Sequence, residues 1–314
     1  MEIVLVMGYP ASGKSSWALA HFPAHRRLNR DSLGDKTLDD LVPLAAAALD
    51  EGAPVVLDNT YADRASRASI LALGRARGVP VRAVVLDTTI EDAQYNAAER
   101  MVRKYGSLPS PAEIKKLARQ DPNTFPPAVL FRHRKVFEEP TVAEGFTAVE
   151  RARFARASQP AGYVNKAVLV DYDGTLRRTK SGAKYPTSPD DVELLPGRAE
   201  VLRRYAAQGY KLLGVSNQSG VSKGELTEET ARACFARTNE LLGLDVEVAF
   251  CPHEPAPINC FCRKPMPGLA VAFIERHKLS RAHTTMVGDM TTDRTFAARA
   301  GIRYVDQGEF FAGG

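Results

Sequence analysis

A chain of 314 residues is longer than most single hydrophobic cores, so two domains are expected. Hydrophobic residues at 44% and charged residues at 25% are the balance of an ordinary globular protein, and no apolar stretch approaches the length of a membrane span. The 42 Lys and Arg against 37 Asp and Glu leave +5, a mildly basic surface that suits a nucleic-acid or phosphorylated substrate without specifying one. The first strand begins at Glu2, which leaves no room for a signal peptide, and the grouping of cysteines points to metal binding in a reducing, cytoplasmic setting.

Glu2–Met7 reads as a buried strand that runs directly into Gly8-Tyr9-Pro10-Ala11-Ser12-Gly13-Lys14-Ser15. That stretch fits G-x-x-x-x-G-K-[ST], in which glycines let backbone N–H groups wrap a phosphate. Lys14 supplies a cation for the β- and γ-phosphates and Ser15 a hydroxyl for Mg²⁺. Gly8, Ser12, Gly13, Lys14, Ser15 and Ser16 are the candidate nucleotide-binding positions, at the amino end of a helix over Lys14–His21. Arg26–Asn29 is a short strand, and Asp31 after it is either the base for an attacking hydroxyl or a helix cap. A helix over Thr37–Leu49 precedes a strand over Pro54–Leu57. Asp58 at its end is either an organiser of the Mg²⁺ site or the cap of a helix over Asp63–Arg77. Val81–Leu86 is the next strand. The alternation of strands and helices with short links predicts a parallel α/β sheet.

Helices over Glu91–Tyr105 and Pro109–Arg119 carry Arg100, Arg103, Lys104, Lys115, Lys116 and Arg119. Above a P-loop, such cations suit a lid that closes on a transferring phosphoryl group, with Arg100 or Arg103 the candidates. Arg132-His133-Arg134-Lys135 is a further basic run. Thr147–Phe154 is a last strand, and the Pro/Gly-punctuated Ala157–Val164 is a linker. The first domain is placed at residues 1–157 and the second at 163–314. The order of P-loop, N-R-D, D-N-T and an arginine-bearing helix resembles the kinase module of polynucleotide kinase–phosphatases. The resemblance implies that Asp31 is the general base for a 5′-hydroxyl. Gly34 stands where the phage-type enzyme has a substrate-gripping arginine. Lys104 stands where a second lid arginine would fall if Arg100 is the first.

In the second half, the apolar run Ala167–Val170 ends in Asp171-Tyr172-Asp173-Gly174-Thr175. Two carboxylates at a strand's carboxyl end suit a nucleophile and a proton carrier at the mouth of a parallel sheet. The polar loop Arg177–Glu193 is too short for a folded cap. A helix over Pro196–Gln208 leads to a strand over Lys211–Val215, whose end carries Ser216 and Asn217 as possible phosphate donors. A helix over Glu228–Leu242 and a strand over Val246–Phe250 follow. Cys251, His253, Cys260 and Cys262 then form a candidate structural zinc site. Lys264 follows that loop, then a helix over Met266–His277 and a strand over Thr285–Val287. Asp289 and Asp293 lie where they can complete a Mg²⁺ site with Asp171.

D-x-D-G-T with S-N-Q, R-K-P and G-D-x-x-x-D resembles the haloacid dehalogenase superfamily of phosphatases. The zinc-loop stretch looks most like the histidinol-phosphate and heptose-bisphosphate branch. The resemblance implies attack by Asp171, proton transfer by Asp173, phosphate binding by Ser216, Asn217 and Lys264, and Mg²⁺ held by Asp171, Asp173, Asp289 and Asp293. The expected fold is two parallel-sheet α/β domains, a P-loop kinase and a haloacid dehalogenase-like phosphatase without a large cap. The expected function is the healing of DNA or RNA ends: ATP or another NTP phosphorylates a 5′-hydroxyl, a 3′-phosphate is removed, and a ligase acts afterwards. Two alternatives stand beside it: a sugar or nucleoside kinase fused to a sugar-phosphate phosphatase, and a non-enzymatic nucleic-acid-binding module.

Overall fold

The computed structural model describes residues 1–34 and 36–312. The chain divides into two compact units. One comprises Met1–Ala97 and Ile114–Ala157; the other comprises Ala98–Glu113 and Ser158–Gly314, of which Gly313 and Gly314 lie outside the described residues. In sequence the first unit gives way to the second after Ala157. The stretch Ala98–Glu113 grouping with the second unit was not visible in sequence order. Among the described residues, no helix is long and apolar enough to cross a membrane.

The first unit holds a five-stranded sheet of β1 (Ile3–Met7), β2 (Arg26–Leu28), β3 (Val55–Asp58), β4 (Val81–Asp87) and β5 (Ala148–Arg153). The order is β2-β3-β1-β4-β5 and every pairing is parallel. All five residues of β1 are buried, as expected of a central strand covered on both faces. One face packs Ile3, Leu5 and Met7 against Leu41, Ala45 and Ile70; the other packs Val4 and Val6 against Ala18. Because the strands are parallel, Met7, Leu28, Asp58 and Asp87 all end at one edge, where ligands bind in such sheets.

The second unit repeats the architecture with β6 (Asn165–Val170), β9 (Lys211–Asn217), β10 (Glu247–Cys251), β11 (Leu279–Gly288) and β12 (Arg303–Asp306). Its order is β10-β9-β6-β11-β12, again wholly parallel. Val170, Asn217, Cys251 and Gly288 therefore converge on one edge. The polar loop after β6 is an antiparallel hairpin of β7 (Arg177–Thr179) and β8 (Val192–Leu194), with Tyr185 packed on the core. Among the described residues, no large cap domain is inserted.

Candidate functional sites

The P-loop of the first unit is shaped by backbone that few residues tolerate. Gly8 has φ 143° and Gly13, the N-cap of the helix Lys14–His21, has φ 89°. Lys14 is buried, and its Nζ donates to the carbonyls of Gly8 at 3.2 Å and Tyr9 at 2.6 Å. Ser15 Oγ donates to Asp58 Oδ2 at 2.5 Å. Asp58, fully buried, also accepts from Arg27 Nε at 2.9 Å and Arg27 Nη2 at 2.8 Å. Asp58 is thus no helix cap; Asp63 caps that helix by accepting from Ser66 N at 2.8 Å.

Asp31 sits in a single 3₁₀ turn, Arg30–Ser32, whose cap is Asn29. Asn29 accepts from Ser32 N at 3.1 Å and donates to the Asp58 carbonyl at 2.5 Å. Asp31 therefore has no capping role there. Its carboxylate is a third exposed, 3.4 Å from Arg30 Nε, and its turn is tied through Asn29 and Asp58 to the residue that holds Ser15. Gly34 has φ 80° and open space around it.

Arg100 and Arg103 fall in the second unit. Arg103 pairs with Glu99 and with buried Glu275, each at 3.1 Å, and Glu275 also accepts from Tyr163 Oη at 2.6 Å. Glu275 is thus a shared carboxylate for Arg103 and Tyr163 within the second unit. His133, read in sequence as part of a basic run, is buried. Its ring lies 4.8 Å from that of Tyr9 in the P-loop. Burial and the charge of Lys14 push it down to about 4.

In the second unit, Lys264 organises the site. Its buried Nζ lies 2.5 Å from Asp171 Oδ1 and 2.7 Å from Asp293 Oδ1, and donates to the Val215 carbonyl at 2.9 Å. Burial opposes its charge, but the two carboxylates outweigh that and hold Lys264 above the usual lysine range. Burial pushes Asp171 up to about 7 against the pull of Lys264, with Asp293 adding to the rise. Burial likewise raises Asp289. Oxygens of Asp171, Asp289 and Asp293 lie within 4.8 Å of one another, a hard-oxygen set of the kind that holds Mg²⁺. Gly174 lets the turn pass close by: a Cβ there would meet Asp289 Oδ2 at 2.5 Å, and its φ is 88°.

Asp173 is not in that carboxylate group. Its Oδ1 accepts from Arg177 Nε and its Oδ2 from Gln218 Nε2, both at 2.8 Å. Ser216 is buried at the end of β9, with Oγ accepting from the same Gln218 at 2.9 Å. Asn217 follows at the same strand end. Its side chain clamps the Lys264 main chain, accepting from Lys264 N at 2.9 Å and donating to Lys264 O at 3.0 Å. This clamp positions the lysine.

Cys251, His253, Cys260 and Cys262 converge. Cys251 Sγ lies 3.7 Å from Cys260 Sγ and 3.5 Å from His253 Nδ1, and His253 Nδ1 lies 3.1 Å from Cys262 Sγ. A tetrahedral site with metal–sulfur bonds of about 2.3 Å has S–S edges of about 3.8 Å, so the donor set fits a closed four-coordinate ion.

Two family models match in succession: an AAA domain over residues 3–140 and Polynucleotide kinase 3 phosphatase over residues 166–311. The D-glycero-beta-D-manno-heptose-1,7-bisphosphate 7-phosphatase of Helicobacter pylori is 31% identical over 148 residues, covering 44% of this chain and 81% of that protein. Among solved structures, the D,D-heptose 1,7-bisphosphate phosphatase of B. bronchiseptica with magnesium and phosphate is 26% identical, covers 47% of this chain and 86% of its own, and aligns at TM-score 0.41. A chain of the Pnkp1/Rnl/Hen1 RNA repair complex is 17% identical, with 97% of this chain and 96% of that chain aligned at TM-score 0.33. The chain is therefore an enzyme with a P-loop kinase domain followed by a phosphatase domain, and through its second half it belongs to the family of the heptose-bisphosphate 7-phosphatases.

Proposed function

We propose that this enzyme heals nucleic-acid ends, phosphorylating 5′-hydroxyls at the first site and hydrolysing 3′-phosphates at the second. The observation that carries the reading is the pairing, in one chain, of a complete P-loop site with a phosphatase half matched end to end by the polynucleotide 3-phosphatase family. The short hairpin after β6 supports it, since a polymer end needs an open approach to Asp171.

In the kinase site, P-loop amides and Lys14 bind the NTP phosphates, and Ser15 with Asp58 would hold Mg²⁺. Asp31 accepts the proton of the attacking hydroxyl. In the phosphatase site, Asp171 attacks phosphorus and the ester P–O bond breaks as Asp173 protonates the leaving oxygen. Asp173 then takes a proton from water, whose oxygen displaces Asp171 and releases phosphate. Lys264 and Ser216 stabilise the phosphoryl oxygens. Asp171, Asp289 and Asp293 would hold Mg²⁺, which supplies charge neutralisation for the phosphoryl group. The Cys₃His cluster would hold zinc and brace the loop that delivers Lys264. The products, a 5′-phosphate and a 3′-hydroxyl, are the pair that a ligase joins.

The four-ligand cluster and the heptose-bisphosphatase relatives favour one second reading, a sugar-phosphate substrate. An oligonucleotide carrying a 5′-hydroxyl and a 3′-phosphate, incubated with ATP and Mg²⁺ and weighed by mass spectrometry, decides between them. Gain of phosphate at one end and loss at the other is expected. Loss of neither, with turnover of a heptose bisphosphate, overturns the reading.

A further inference from the structure

Arg177 has no part in the motifs of the phosphatase site, yet it is among the most buried side chains of the protein, at 1% exposure. A guanidinium in the interior needs compensation. Arg177 Nη1 donates to Thr238 Oγ1 at 2.9 Å, and the cation lies 4.8 Å from the ring centre of Phe235 and 5.4 Å from that of Tyr172. Among the described residues its ion-pair partner is Asp173, through Nε at 2.8 Å. The Asp173 side chain keeps 19% exposure, so the held carboxyl still faces the open site.

The two oxygens of Asp173 are thereby made unlike. Oδ1 faces a guanidinium, which cannot be deprotonated and has no acceptor, so that oxygen stays an acceptor throughout the cycle. Oδ2 faces Gln218, whose amide nitrogen also reaches Ser216 at the phosphate-binding strand end. A proton carried by Asp173 therefore belongs on Oδ2, on the side toward phosphate. We infer that Arg177 is the positioning residue for Asp173, fixing its carboxyl plane and confining the transferable proton to Oδ2 in both half-reactions. This rests on the assignment of Asp173 as proton carrier, not on the identity of the substrate. In the first step that proton passes from Oδ2 to the ester oxygen as the Asp171–phosphorus bond forms and the ester bond breaks. In the second step the same oxygen takes a proton from the water that displaces Asp171.

The test is leaving-group dependence. A simple alkyl phosphate needs the acid, whereas p-nitrophenyl phosphate leaves as a stable anion and does not. Arg177→Met removes the anchor at similar volume. Release of alcohol from the alkyl phosphate should fall about 10²-fold or more, since a positioned acid contributes at least that much. The pre-steady-state burst of p-nitrophenol should change only a few-fold, with phosphoenzyme accumulating after it. On the alkyl phosphate KM should hold while kcat falls, and Asp173→Asn should show the same pattern on both substrates. Thr238→Val, which removes one of the bonds to Arg177, gives a milder version and serves if Arg177→Met unfolds the second unit. Equal losses on both substrates in every variant that keeps its unfolding transition overturn the inference, as does the absence of any loss. A wild-type enzyme that cleaves both small phosphates but no oligonucleotide leaves Arg177 in place and removes only the nucleic-acid reading.

Discussion

Lys14 and Lys264 occupy equivalent places, each buried at the carboxyl edge of a parallel sheet, but they are held by different means. Lys14 Nζ is folded onto the carbonyls of Gly8 and Tyr9 in its own loop. Lys264 Nζ lies between two carboxylates on two other elements, with its main chain clamped by Asn217. The first lysine shares its N–H groups among neutral acceptors of its own loop. The second is already aimed, and its charge is balanced before substrate arrives. Phosphoryl transfer from a mobile nucleotide tolerates the first arrangement; in-line attack by a fixed aspartate needs the second.

The aim of Lys264 depends on the loop before it, and that loop is bounded by the thiols of Cys260 and Cys262. The largest effect is expected there. Structural zinc sites of this kind contribute on the order of 10 kcal/mol of folding free energy. Cys260→Ser, or a strong chelator, should abolish phosphatase activity and remove the second unit's unfolding transition. Kinase turnover should survive, and native protein should carry one zinc per chain by elemental analysis. Phosphatase activity that persists with no bound metal would break the contrast, because Lys264 would then be aimed without its brace.

Substitutions at the chemical groups come next in size. Asp171→Asn should lower phosphatase turnover by a factor on the order of 10³ or more and leave kinase turnover within about two-fold. Lys14→Ala should do the reverse. Assaying both activities on one preparation reads the separation directly. If each single variant loses both activities while remaining folded, the two sites are not independent units of chemistry.

The candidate sites were legible because parallel α/β sheets place function at strand ends. Asp58, Asp171, Ser216 and Asp289 could each be located from an apolar run followed by a polar break, and Asp31 from the end of a short strand. What sequence left open was choice among local roles. Asp31 and Asp58 were each as good a cap as a functional group, and the structure separates these because Asn29 and Asp63 do the capping. Partnerships across the chain were not legible. Sequence did not show that Arg103 pairs with Glu275, distant along the chain. Nor did it show that the Asn217 amide clamps the main chain of Lys264. Arg177 carried no motif and His133 only a place in a basic run; burial singles them out, and burial is a property of the packed chain.

His133 gives the smallest effect and the one most particular to the kinase unit. It is 6% exposed, stacked 5.3 Å from Phe137, and pushed down to about 4 by burial and by Lys14. The folded form therefore holds this proton less tightly than the unfolded chain, whose histidine titrates near about 6.5. Stability from the neutral ring is complete above that value and is lost as pH falls toward 4, because the unfolded state takes up the proton first. The loss is bounded at about 3 kcal/mol. His133→Phe keeps a ring against Tyr9 and Phe137 and cannot titrate. The protein's one tryptophan, Trp17, lies in the helix after the P-loop and reports unfolding of this unit. Urea midpoints followed by its fluorescence should fall less steeply between pH 6.5 and 4 in the variant than in the parent. Parallel slopes would place the proton uptake elsewhere, among the carboxylates, and would mean that the phosphate loop is not poised against a neutral imidazole.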